Sequence, residues 1–188
     1  MDYNTFFKIT YGLYIVSSRS GENLNGHISN TVFQISADPP LFAIASHKDN
    51  LTTKYIDDSK VFSVLILQED ISMDFMGPWG VQHGDEVNKF SSVNYKIGQT
   101  GAPIVLEKSI AYLEFELVDR IDTGSHILFI GKAIDAQFLD KDKKPLNYSY
   151  YRSEIKGFSP ENSPTYLDES KIEKASKNAG HDLIVPFS

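Results

Sequence analysis

The sequence predicts a mainly β fold, a barrel or a sandwich. Six or seven short runs rich in β-branched and aromatic residues recur along the chain, separated by Gly, Pro, Asn and Asp clusters. Aromatic residues make up 12% of the chain, nearly all of them Phe and Tyr, and these residue types suit a pleated, half-buried surface. No predicted strand runs into a Gly-rich fingerprint opening a helix, so a Rossmann-type nucleotide domain is not expected.

The elements follow in order. Gly12 to Ser17 reads as a strand, and a polar stretch, Ser18 to Leu24, follows it. Asn25-Gly26 reads as a turn, because both residues tolerate positive φ. His27 to Ile35 is the next strand, stopped by Ala37-Asp38-Pro39-Pro40, where neither proline can donate a ladder hydrogen bond. Leu41 to Ser46 is nearly all apolar and suits a buried strand. Asn50 then reads as the N-cap of a helix over Leu51 to Ser59, with Leu51, Tyr55 and Ile56 on one face. Val61 to Leu67 is another strand. Gln68 to Pro103 is irregular, with Gly77-Pro78-Trp79-Gly80 breaking any element there and a helical turn expected over Asp85 to Phe90. Ile110 to Val118 alternates, Asp122 to Ser125 makes a turn, and His126 to Phe138 reads as one long strand bent at Gly131. Leu146 to Tyr166 reads as an irregular arm rich in Tyr, Ser, Pro and Asn. Asp168 to Ala179 has helical propensity and ends at Gly180.

Composition narrows the function. A chain of 188 residues fits one domain, or one domain with an appendage. The expected division is a barrel domain over 1–145 and an arm with a short helix, 146–188, packed on it. There are no cysteines, which excludes disulfides and thiolate chemistry. The net charge of −7 disfavours a nucleic-acid partner. No stretch approaches the roughly 20 apolar residues of a membrane span, and Met1 to Thr5 lacks the features of a signal peptide. A cytoplasmic protein is therefore expected. None of the five histidines has a metal-ligand spacing to another, and no Gly-x-Ser-x-Gly elbow is present, so neither a metal site nor a serine hydrolase is expected.

Two segments offer chemistry. From Ser46 to Thr53 a buried strand ends and donors crowd the start of a helix, where free backbone N–H groups attract a phosphate. Ser46, Thr52 and Thr53 add hydroxyls and Lys48 adds a charge. The same residues also suit a plain capped helix with a solvated lysine. In the second segment, Ser29, Asn30 and Thr31 set donors and acceptors in a row, as the edge of a planar heteroaromatic ring requires. A strand with one wet face fits those residues equally.

Several segments, in this order, resemble the flavin-reductase-like FMN-binding proteins. They are Tyr11 to Ser17, Asn25 to Ser36, Asp38-Pro39-Pro40, Asn50-Leu51-Thr52 with Ile56, Phe62, His83 to Phe90, Gly101-Ala102-Pro103, and Gly124-Ser125-His126 with Ile130-Gly131. Pro145 to Tyr148, Tyr150-Tyr151 and Ser163 to Tyr166 are similar to the flavoredoxin branch, which includes the flavin domain of high-molecular-weight rubredoxins. The resemblance spans about residues 5 to 166. It implies a split β-barrel of Greek-key type, a homodimer, and FMN near the subunit interface. Ser29, Asn30, Thr31 and Val32 would line the isoalloxazine edge. Ser46, His47, Lys48, Asn50 and Thr52 would hold the ribityl phosphate, and His126 would face the flavin or the nicotinamide. The implied activity is FMN-dependent reduction by NADH or NADPH. The alternative is an electron carrier that passes electrons to a protein such as rubredoxin without turnover of its own. Two departures stand out: His83-Gly84-Asp85 replaces the family's Ser-Gly-Arg, removing a basic contact, and Phe75 to Gly80 replaces a plain Phe-Gly.

Overall fold

The computed structural model describes residues 1–168 and 170, apart from 81, 83 and 85. The predicted helix over Asp168 to Ala179 lies outside the described residues, apart from 168 and 170.

Seven strands form one antiparallel sheet: β1 (Tyr14–Ser20), β2 (Asn23–Ser29), β3 (Val32–Ala37), β4 (Pro40–His47), β5 (Val61–Leu67), β8 (Ser109–Asp122) and β9 (His126–Phe138). Their spatial order is β2-β1-β5-β8-β9-β4-β3. The two edge strands are consecutive in the chain and only Asn30 and Thr31 join them. The sheet must therefore curl until its edges meet at that link. Ala45 N–H donates to the Thr31 carbonyl there (3.2 Å), but no ladder joins β2 to β3 among the described residues. The result is a split β-barrel. Among the described residues a small hairpin, β6 (Tyr95–Ile97) and β7 (Pro103–Val105), an N-terminal 3-10 helix (Tyr3–Lys8) and three α-helices complete it: α1 (Leu51–Ser59), α2 (Met73–Gly80) and α3 (Tyr148–Ser153). No described helix is long and apolar enough to cross a membrane.

Two apolar clusters explain the patterning. Val16, Ile44, Ile56, Phe62, Val64, Phe115, Ile127 and Phe129 fill the barrel. Leu13, Ile15, Leu65, Leu67, Met76, Trp79 and Tyr151 belong to a second cluster, which α2 and the arm help to close. On β5, Phe62 and Val64 face the first cluster, and Leu65 and Leu67 the second. A strand covered on both faces reads as a continuous apolar run, which is why this one does not alternate. Inside the barrel the Phe62 and Phe115 rings stack at 4.8 Å. Gly131 makes room for them: a Cβ there would lie 2.5 Å from the Phe62 ring.

Four local expectations are corrected. Asn25-Gly26 is not a turn but lies inside β2; the turn is one step earlier, where Gly21 has φ +58°. Strand formation wins because Gly26 lies against β1, where a Cβ would come within 2.7 Å of Ser17 Oγ. The single strand expected over His27 to Ile35 is two strands, broken where Asn30 and Thr31 cross the seam. Gly77-Pro78-Trp79-Gly80 does not break the chain but sits within α2, because burying Met76 and Trp79, each 2% exposed, outweighs poor helix propensity. Asn88 to Ser91 forms a turn and no helix, while Asp85 lies outside the described residues.

Candidate functional site

An open cavity of about 530 Å³ lies beside the seam. Its walls come from β2, the end of β4, the start of α1, α2 and the segment Phe158 to Pro164. Leu13, Met76 and Trp79 supply apolar surface. The polar side is built on β2 and on the β4–α1 junction, because strands placed at the barrel seam bring these segments together.

The α1 end is arranged to donate. Asn50 takes the N-cap position, as expected, but its side chain makes no capping bond. Its Oδ1 accepts instead from Asn162 Nδ2 (2.9 Å), so the first N–H groups of α1 keep no side-chain acceptor of their own. Thr52 Oγ1 accepts from Asn25 Nδ2 (3.2 Å), which leaves its hydroxyl hydrogen free to donate.

A buried hydroxyl chain fixes the state of His27. Thr53 Oγ1 donates to the His47 carbonyl (2.7 Å), so it can only accept from Ser46 Oγ at 2.6 Å. With the Ser46 hydrogen committed, Ser46 Oγ can only accept from His27 Nε2 at 3.2 Å. His27 Nε2 therefore carries the hydrogen and Nδ1 presents a bare lone pair. That Nδ1 is buried and has no partner among the described residues. Burial first, then the charge of Lys89 and the nearby His126, push the imidazole pKa down to about 3, so the ring is neutral. Lys89 is 5% exposed, borders the cavity and donates to the Gly26 carbonyl at 3.0 Å. Burial lowers its pKa to about 8.

The residues expected at the site fall into two sets. Ser29, Asn30, His47, Asn50 and Thr52 border the cavity. Ser46 stands behind His27 and Thr31 at the seam, where its hydroxyl donates to Asn30 Oδ1 (3.0 Å). Val32, on β3, and Ser46 and Thr31 are outside the lining. Lys48 also lies outside it: its ammonium reaches Asp122 at 2.7 Å, both side chains largely in solvent. His126 sits against the cavity rim, paired in register with His47 and edge-on to its ring at 4.9 Å. Its Nε2 lies 3.2 Å from the Asn162 carbonyl, which can only accept, so that nitrogen carries the hydrogen. Burial lowers the His126 pKa, the Asn162 carbonyl opposes that shift, and the nearby His47 adds to it.

The arm is tied to the rim at two points. Asn162 bridges Asn50 and His126, and Thr165 Oγ1 accepts from Asn30 Nδ2 at 2.7 Å. Neither His27 nor Lys89 stands out in the sequence, where a histidine in a strand and a lysine in an irregular stretch read as ordinary residues. The segment His83 to Phe90, which carries part of the resemblance, was the available signal for Lys89; His83 and Asp85 lie outside the described residues.

A split barrel with a cavity at its seam, walled by a helix N-terminus on one side and apolar surface on the other, defines a small-ligand-binding barrel. The comparisons give the family: residues 6–159 match the flavin reductase like domain, and the chain belongs to that family. It is 39% identical to the ferric-chelate reductase (NAD(P)H) of Archaeoglobus fulgidus, over 89% of this chain and 99% of the relative. It is 37% identical to the high molecular weight rubredoxin of Moorella thermoacetica, over 88% of this chain and 72% of the relative. Among solved structures, the FMN-binding protein from Thermus thermophilus with bound 1-cyclohex-2-enone superposes with a TM-score of 0.65 at 26% identity, covering 73% of this chain and 78% of that one.

Proposed function

We propose that the cavity holds FMN and that the chain works as an oxidoreductase fed by NADH or NADPH. The observation that carries this is the pairing, in one cavity, of an uncapped helix N-terminus with a buried neutral imidazole whose Nδ1 lacks a partner. The first suits a phosphate and the second suits a ring N–H. The volume, about 530 Å³, lies within the range of cofactor sites, and Met76 and Trp79 offer the flat ring an apolar wall. A bound FMN supplies acceptance of two electrons from a reduced nicotinamide and their delivery onward. Thr52, Asn50 and the N–H groups of Leu51 and Thr52 hold the phosphate. Lys48 adds charge at the outer rim. Ser29, Asn30, Thr31 and Val32 position the ring near the seam, with Ser46 and His47 supporting that wall. His126 meets the incoming nicotinamide as a donor, once its Nε2 hydrogen leaves the Asn162 carbonyl that accepts it.

The family relatives support the reductase reading, since one is named a ferric-chelate reductase (NAD(P)H). The kinship to a high molecular weight rubredoxin favours a second reading, an electron carrier serving a redox protein. Sustained NAD(P)H oxidation by the isolated protein separates the two, because a pure carrier stops after one reduction. A homodimer belongs to the same proposal. Edge strand β3 leaves Phe33 and Ile35 about half exposed, and such an edge is covered in a stable protein. Light scattering reads the assembly state.

The test is FMN titration followed by flavin fluorescence. Thr52→Val should weaken binding by about 1.5–3 kcal/mol, the worth of a hydrogen bond to a charged group. Unchanged affinity would remove Thr52 from the phosphate site. His126→Ala should slow anaerobic reduction by NAD(P)H while leaving FMN affinity near that of the parent; equal rates would remove His126 from the reaction.

A further inference from the structure

We propose that Lys89 sets the reduction potential of the bound flavin, acting as the counter-charge for the ring edge that becomes negative on reduction, beside the acceptor Nδ1 of His27. The inference rests on the FMN reading and deepens it.

Lysine is rarely buried unless a carboxylate pairs with it. Lys89 is 95% removed from solvent, yet no ion pair joins it to a described carboxylate. Its hydrogen bond goes to a neutral group, the Gly26 carbonyl at 3.0 Å. An ammonium carries three donors, so that bond leaves two for an occupant of the cavity that Lys89 borders. One residue along β2, His27 borders the same cavity and carries an acceptor without a partner. A donor beside an acceptor complements a ring edge in which an N–H is flanked by carbonyls. That is the chemistry of a pyrimidine-dione, the polar end of a flavin.

Charge makes Lys89 more than a hydrogen-bond donor. A hydride leaving a reduced nicotinamide carries one proton and two electrons. The nicotinamide ends oxidised with one more positive charge, and the acceptor ring ends reduced with one more negative charge. A fixed cation at low dielectric favours that reduced form over the oxidised one. The lowered pKa of Lys89, about 8, still leaves it mostly protonated near pH 7, and a negative ring beside it would hold the proton more firmly. His27 cannot share this task, because its ring is neutral.

The alternative is a structural lysine that only pins the segment before Phe90 onto β2. Lys89→Gln separates the two, since it keeps a donor for Gly26 O but removes the charge. Lys89→Met removes both, and Lys89→Arg keeps both. The measurement is reductive titration of the FMN-loaded protein against a dye of known potential, together with affinities for oxidised and reduced FMN. In Lys89→Gln and Lys89→Met, the preference for reduced over oxidised FMN should fall at least tenfold, about 30 mV for a two-electron couple. Lys89→Arg should stay near the parent. A parent-like potential in a folded, FMN-loaded Lys89→Gln would overturn the inference while leaving the FMN reading intact. Failure of the parent itself to bind FMN would overturn that reading and this inference with it.

Discussion

The barrel interior and the cavity wall are both shielded from water, but different forces hold them. Inside the barrel, Val16, Phe62, Val64, Phe115 and Phe129 are fully buried and make no polar demand. Their stability follows apolar area and close packing, so it varies little with pH or ligand. In the wall and just behind it, His27, Ser46, Thr52, Thr53 and Lys89 are also buried, none more than 9% exposed, yet each needs a hydrogen-bond partner. Most find one within the chain. His27 Nδ1 does not. A protein that leaves a buried acceptor without a partner loses free energy there, and recovers it when an occupant supplies a donor. The interior therefore holds the fold together, and the wall keeps a polar demand that the described residues do not meet.

The sharpest way to break that contrast is to cut into the interior. Phe62→Ala should destabilise the fold by about 3–5 kcal/mol, the usual cost of removing a buried aromatic ring. The midpoint of thermal unfolding reads the loss, which should appear with or without flavin. A change below about 1 kcal/mol would mean that the stack on Phe115 contributes far less than its burial implies.

The next effect belongs to the wall and depends on pH. The folded His27 titrates near pH 3, well below its ordinary value of 6.5. Between those values the unfolded chain binds a proton that the folded chain does not. Stability from this residue is therefore full above about pH 6.5 and is lost as pH falls toward 3. His27→Gln removes the effect. Unfolding curves at a series of pH values should show the parent losing stability across that window more steeply than the variant. Parallel curves would contradict a buried neutral imidazole.

The smallest expected effect concerns the arm. Asn162→Ala deletes the bond to Asn50 and should loosen the segment Phe158 to Tyr166 by about 1 kcal/mol. Amide hydrogen exchange should quicken there and stay unchanged in β5. Equal protection would show that the other contacts of the arm, such as Thr165 with Asn30, hold it alone.

Much of this was legible in the chain, and the pattern of what was not has a physical cause. The helix over Leu51 to Ser59 and the strand over Val61 to Leu67 appear with their predicted ends, because a capping position and a dense apolar run are local signals. Asn25-Gly26 misleads because turn propensity is also local, while the neighbour that needs Gly26, Ser17 on β1, is a tertiary fact. The α2 helix is hidden for the same reason: Gly77 and Pro78 oppose it, and burial of Met76 and Trp79 selects it. At the site, Ser29, Asn30 and Thr52 border the cavity. Lys48 turns instead to Asp122, a partner far along the chain. The tautomer of His27 depends on three hydroxyl and carbonyl groups from β4 and α1, and no local pattern encodes that chain of donors.

The central claim is that this cavity takes FMN and passes electrons from a nicotinamide. The most direct measurement is the visible spectrum of the purified, FMN-reconstituted protein before and after NADH or NADPH is added without oxygen. Flavin absorbance should stay with the protein through gel filtration and bleach on addition of the nucleotide. A protein that retains no flavin, or whose flavin absorbance is unchanged by either nucleotide, would contradict it.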